Sequence, residues 1–167
     1  ETAGLTLQIG EWTLRNACAQ HCEWVGAGLA VPLTINGSLR QLRHPRFLQI
    51  LKRVLDETGL PPSLLQFEIR ENVLLDQRLP LNLLKEMKNA GVLLALADFG
   101  AELTALSSIH RFPLDLVKPG QGLVKELPAR SRDAMVLAAS VSVAHERRIK
   151  VCAEGVETVE QFEVLRD

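Results

Sequence analysis

Asn36, Glu68, Asp98, Lys118 and Glu154 each stand at or near the end of a short apolar run. A buried strand gains no stability from a carboxylate or an ammonium at its end. In parallel α/β folds, however, the carboxyl ends of strands are where active sites are built. The residue types suit one chemistry. An amide and carboxylates hold a hard cation, a lysine meets an anionic oxygen, and a further carboxylate handles the proton of an attacking water. Any one of the five is explained as the cap of the following loop. Five in succession predict a single cleft.

The elements that must position them alternate in period. Ile9, Trp12, Ala17 and Trp24 recur at near-helical spacing and predict a first helix ending near Gly26 or Gly28. Ala30 to Ile35 reads as a buried strand stopped at Asn36-Gly37. Phe47, Ile50, Leu51, Val54 and Leu55 predict a helix closed by Thr58-Gly59. Leu64 to Ile69 is the second strand, followed by a helix through Leu83, Leu84 and Met87. That helix ends at Asn89-Ala90-Gly91, where glycine takes the left-handed cap conformation. Val92 to Ala97 is the third strand, Leu103 to His110 a short helix, and Leu114 to Lys118 the fourth strand. A long helix covers Asp133 to Glu146, Ile149 to Ala153 is the fifth strand, and another helix begins at Thr158. Strands that are apolar at nearly every position are buried on both faces, as in parallel sheets covered by helices. The class is therefore α/β, either a doubly wound sheet or a (β/α)8 barrel.

Composition excludes several functions. The 167 residues are 47% hydrophobic, too many for a disordered chain. Lys and Arg total 19 against 20 Asp and Glu, so no strong attraction to nucleic acid or to an anionic membrane is encoded. No apolar run is long enough to span a bilayer. Cys18, Cys22 and Cys152 form no disulfide framework, and reduced thiols predict a cytoplasmic setting. Cys18 and Cys22 flank His21 at helical spacing, a metal-pair pattern, but with no second pair they read as small fillers of a helix face. Trp12 and Trp24 read as core or interface packing. Arg40, Arg43, His44 and Arg46 read as a solvated loop cluster, and His110-Arg111 as the complement of a helix dipole.

Leu33-Thr34-Ile35-Asn36, Phe67-Glu68-Ile69-Arg70-Glu71, Ala97-Asp98-Phe99-Gly100 and Ala153-Glu154-Gly155-Val156-Glu157-Thr158 resemble the EAL domain. Ile9-Gly10-Glu11-Trp12 and Gln161 extend the resemblance along nearly the whole chain. This is the bacterial cyclic di-GMP phosphodiesterase family, whose fold is a (β/α)8 barrel with one antiparallel strand. The resemblance implies two cations, magnesium or manganese, that activate a water to cleave cyclic di-GMP to pGpG. By position it implies metal-binding roles for Asn36, Glu68 and Asp98, and catalytic roles for Lys118 and Glu154. Glu71 and Glu157 correspond to acids behind the metal ligands or at helix starts. Residues 1–167 read as a single EAL-like domain of about five parallel strands, lacking the strand with the EAL tripeptide and the last strand and helix.

Two departures bear on activity. Ala97 stands where the family has a metal-bridging Asp, and Gly120, in Lys118-Pro119-Gly120, where a KxD motif has its Asp. The loop from Ala101 to Ala105 also departs from the family pattern. A methyl group cannot coordinate a cation. The expectation is a degenerate EAL domain in cyclic di-GMP signalling, with any metal bound weakly or not at all. It would act as a nucleotide sensor or a protein-interaction module, as a homodimer or beside other domains of a longer signalling protein. The alternative is an active metal-dependent phosphodiesterase when full length.

Overall fold

Turn chemistry and apolar periodicity set the elements of the computed structural model, which describes residues 5–100, 109–128 and 132–166. In chain order these are α1 (Leu5–Gly26), β1 (Leu33–Asn36), α2 (Leu39–Leu42), α3 (Phe47–Thr58), β2 (Leu65–Arg70), α4 (Glu71–Leu74) and α5 (Leu81–Asn89). There follow β3 (Leu93–Phe99), β4 (Leu116–Pro119), α6 (Gln121–Lys125), α7 (Arg132–Glu146), β5 (Lys150–Val151) and α8 (Val159–Arg166). The chain divides into two units, Glu1–Ile69 with Asp76–Leu94, and Arg70–Leu75 with Ala95–Asp167. Within each unit the strands are neighbours in chain order, β1 beside β2 and β3 beside β4 beside β5.

In the first unit β1 and β2 pair in parallel, Leu33 opposite Leu65 through Asn36 opposite Glu68. Gly37 continues the ladder by donating to the Glu68 carbonyl at 2.8 Å. Only glycine fits there, because a Cβ would lie 2.8 Å from the Phe67 ring. Helix α3 buries Phe47, Ile50, Leu51, Val54 and Leu55 along one stripe. It stops at Gly59, whose φ of 71° is the left-handed cap and whose N–H donates to the Leu55 carbonyl. Helix α2 starts from a capping box. Ser38 Oγ accepts from the Gln41 N–H, and Gln41 Oε1 accepts from the Ser38 N–H. Gly10 of α1 admits that glutamine: a Cβ there would lie 1.9 Å from Gln41 Nε2. Glu11 and Arg15 on α1 meet Arg53 and Glu57 on α3 in a surface ion network.

In the second unit β3 pairs with β4, and β4 with β5, all in parallel. Leu123, Leu127 and Leu137 form its helical core, with Ala134, Val136, Val141 and Leu165 packed around them. Helix α8 begins with a second capping box. Gln161 Oε1 accepts from the N–H groups of Glu157 and Thr158, while Thr158 Oγ1 accepts from the Gln161 N–H. The acids and Gln161 of the final motif are thus partly a helix start.

Several boundaries differ from the sequence reading. The first strand begins at Leu33, not Ala30, since Pro32 has no N–H for a ladder. The fifth is only Lys150–Val151, and α1 begins at Leu5. Helices α2, α4 and α6 escape the pattern because four or five residues cannot display a helical period. The short helix expected over Leu103 to His110 falls largely outside the described residues; Ile109–Arg111 is a single 3-10 turn. Trp12 and Trp24 are not core: they are 66% and 46% exposed, on the outer side of α1.

Cys18 is fully buried, and burial together with the neighbouring Cys22 pushes its thiol up to about 11. Cys22 is half-buried and donates to the Thr58 carbonyl at 3.2 Å. His21 is buried, edge-on to Trp24, and neither ring nitrogen has a hydrogen-bond partner among the described residues. A ligating histidine normally has its second nitrogen oriented by a partner. Cys18 and His21 therefore fill the inner face of α1. At pH 8 a thiol reagent should label exposed Cys152 first and Cys22 more slowly, with Cys18 reacting only on unfolding. Mass spectrometry of the labelled protein, with and without denaturant, measures that order.

Candidate functional site

Each of the five polar residues lies at the carboxyl end of its own strand. Asn36 is the last residue of β1, Glu68 is two from the end of β2, and Asp98 is one from the end of β3. Lys118 is next to last in β4, and Glu154 follows β5 by three residues. In the first unit the register puts Asn36 directly opposite Glu68.

The second unit holds the other three. Lys118 Nζ lies 2.7 Å from Glu154 Oε1, a charge-assisted hydrogen bond whose lysine side chain is only 13% exposed. Two features place Glu154. Gly155 takes φ 75°, which turns the chain out of β5, and its Cα side packs toward Gln121, 3.6 Å from where a Cβ would be. Asp98 also has a left-handed backbone, φ 58°, a conformation costing a non-glycine residue about 1 kcal/mol. Such strain clusters where a side chain must be aimed against local preference. Asp98 points into an open cleft of about 500 Å³. Arg70, Glu71 and Asn72 line it from the β2–α4 junction, and Gly120 to Gly122 from the β4–α6 junction. Glu71 is buried at 2% exposure in the first turn of α4, the helix-start position expected for it.

Ala97 and Gly120 differ in their surroundings, and only Gly120 lines this cleft. Ala97 is buried, 7% exposed, in β3. Gly120 is the N-cap of α6 at φ −58°, a conformation open to any residue. A Cβ there would lie 3.8 Å from the Asp98 carbonyl oxygen, ordinary contact distance. Its N–H donates to the Phe99 carbonyl at 3.0 Å, which ties the two loops together.

A pair of divalent cations needs several oxygen ligands around each ion and carboxylates to offset their repulsion. Among the described residues, no group of three or more His, Cys, Asp or Glu side chains is placed to hold a metal ion. Glu154 is engaged by an ammonium, and a guanidinium, that of Arg70, lines the cleft beside Asp98. Within the second unit, Asp98 and Glu154 alone fall short of the ligand count a two-cation centre needs. Arg70 is the site residue that strand-end reasoning passed over. Its signal was present: period two puts it on the same face of β2 as Glu68.

The family model for the EAL domain matches residues 1–167. The chain belongs to the EAL domain family, and its fold is the α/β, TIM-barrel-like fold of that family. It is 31% identical to cyclic di-GMP phosphodiesterase NbdA of Pseudomonas aeruginosa, over 100% of this chain and 22% of that protein. It is 34% identical to the bifunctional diguanylate cyclase/cyclic di-GMP phosphodiesterase MucR of the same organism, over 99% of this chain and 24% of that protein. Among solved structures, the P. aeruginosa MucR phosphodiesterase in complex with cyclic di-GMP superposes with a TM-score of 0.89 at 32% identity. That match covers 98% of this chain and 67% of the other. The EAL domain of Mycobacterium smegmatis DcpA superposes with a TM-score of 0.86 at 31% identity, covering 94% and 72%. The chain spans between 20% and 27% of the length of the curated relatives it matches. No described helix is long and apolar enough to cross a membrane.

The packing at the two substituted positions gives a direct test. Replacing Gly120 by Asp adds a good N-cap in open space, so the thermal midpoint should stay within about 2 °C of the parent. Replacing Ala97 by Asp buries a carboxylate and should lower it by about 4 °C or more. Thermal melts of the two single variants measure the contrast.

Proposed function

We propose that this chain is a non-hydrolysing EAL domain that binds cyclic di-GMP and reports its presence. The observation that carries the reading is the pairing of retained and lost groups. Asn36, Glu68, Asp98, Lys118 and Glu154 keep the strand-end positions, while positions 97 and 120 lack carboxylates. Retained groups that bind, beside absent groups that would hold bridging cations, support recognition without turnover. The relatives named as cyclic di-GMP phosphodiesterases, and the structural neighbour in complex with cyclic di-GMP, support the ligand.

A metal, when bound in this family, polarises a phosphoryl oxygen and activates water; magnesium or manganese is the implied ion. In this chain the Lys118 ammonium offers its charge to an anionic oxygen, and Glu154 orients it. Asp98, held in its left-handed conformation, is aimed at the cleft that Arg70 and Gly120 also line. A bound dinucleotide changes what the cleft loops present, and the output is a changed contact with a neighbouring domain or a second copy of the domain. The relatives carry this region within much longer chains, which is where such partners would lie. The setting is cytoplasmic, with no nucleic-acid polymer as partner and no membrane insertion by this segment.

The test is a phosphodiester-cleavage assay with magnesium and then manganese, run on the protein, on Gly120→Asp and on the double variant Ala97→Asp/Gly120→Asp. The parent protein should show no formation of pGpG above buffer. Robust turnover by the parent would return the domain to the metal-dependent phosphodiesterases and overturn the proposal. Turnover gained only by the double variant would support it directly.

A further inference from the structure

Resting on the reading of the cleft as a cyclic di-GMP site, we infer that Arg70 takes the role the divalent cations play elsewhere, meeting a phosphodiester oxygen with its guanidinium so that the ligand binds without metal. Arg70 closes β2 and is the N-cap residue of α4, with an exposed side chain on the cleft that Asp98 and Gly120 also line. Two carboxylates, Glu71 and Asp98, share that cleft, yet the Arg70 guanidinium makes no hydrogen bond or ion pair with any described residue. Among the described residues nothing competes with a ligand for its donors. A guanidinium is charged at every working pH and presents a planar fork that matches two phosphate oxygens at once.

The same charge acts against a metal. A fixed cation in the cleft repels a divalent ion, in a cleft already short of carboxylates at positions 97 and 120. It also offsets Asp98 and Glu71, which would otherwise repel a phosphodiester. Space is available beside it. Gly122 faces open solvent, with nothing within 4 Å of a Cβ position, and at Gly120 only the Asp98 backbone approaches. Together with the open volume of about 500 Å³, that leaves room for a phosphodiester and part of its nucleoside. Loss of the carboxylates and the presence of the guanidinium then belong to one design, in which anion recognition is direct.

The experiment is isothermal titration of the full chain with cyclic di-GMP, once in EDTA and once in magnesium, for the parent, Arg70→Ala and Arg70→Lys. The parent should bind with affinities within about twofold in the two buffers. Arg70→Ala should weaken binding about tenfold or more, the scale of a lost charge-assisted pair, and flatten its dependence on salt. Arg70→Lys, which keeps charge without the fork, should fall between. Because the side chain is exposed, the variants should melt with the parent. If Arg70→Ala melts early, Arg70→Lys carries the comparison. Binding that needs magnesium, or replacements that leave affinity within about twofold, would overturn this inference while sparing the proposed function. A parent protein that binds in neither buffer would overturn the proposed function, and this inference with it.

Discussion

Parallel pairing is the constraint on which the polar residues of this chain depend. Adjacent parallel strands run the same way, so their carboxyl ends open at the same edge, and residues in register there stand side by side. Asn36 meets Glu68 in this way in the first unit. In the second, the pairing of Leu116 and Val117 with Lys150 and Val151 brings the ends of β4 and β5 together, and Lys118 reaches Glu154. Shifting the first pair by one residue would move Asn36 off Glu68 and force Leu65 and Phe67, both fully buried, out of the places their shapes fill. Core packing thus holds the register, and the register holds the polar ends.

The two substituted positions differ in what surrounds them. At position 97 the side chain is only 7% exposed, so a carboxylate placed there would be buried. At position 120 the backbone has an ordinary conformation at a helix N-cap, with open space beyond it. The first position lies in a buried strand, the second on the open cleft. Gly100 lies between these regimes. Its φ of 88° and the approach of Leu123 and Ser140, 3.0 and 3.1 Å from a Cβ position, leave room for glycine alone. Close approach at Gly100 and the left-handed backbone at Asp98 together constrain this strand end.

Much was legible in the residues alone. The class, the five strands and the long helices follow from apolar period and from glycines at helix ends, because those features are local. Gly91 takes the positive φ expected of it, and Gly59 closes its helix with a positive φ as well. The strand-end polar residues could be named for the same reason: a polar group that terminates a buried run is visible without knowing its neighbours. What period could not reveal were the one-turn helices α2, α4 and α6, and the outward face of α1. Trp12 and Trp24 satisfy a helical stripe on paper, and only the packing of α1 through Leu14, Cys18 and His21 decides which stripe is buried.

The sequence by itself determined which polar residues end the apolar strands, and that positions 97 and 120 hold alanine and glycine, since identity at a position needs no coordinates. Tertiary structure decided the rest. The ion pair of Lys118 with Glu154, the left-handed turn at Asp98 and the exposure of Arg70 in the cleft all depend on contacts between segments distant in the chain. A side chain's charge is written in the sequence, but its partner is chosen by register and by the loops that follow each strand.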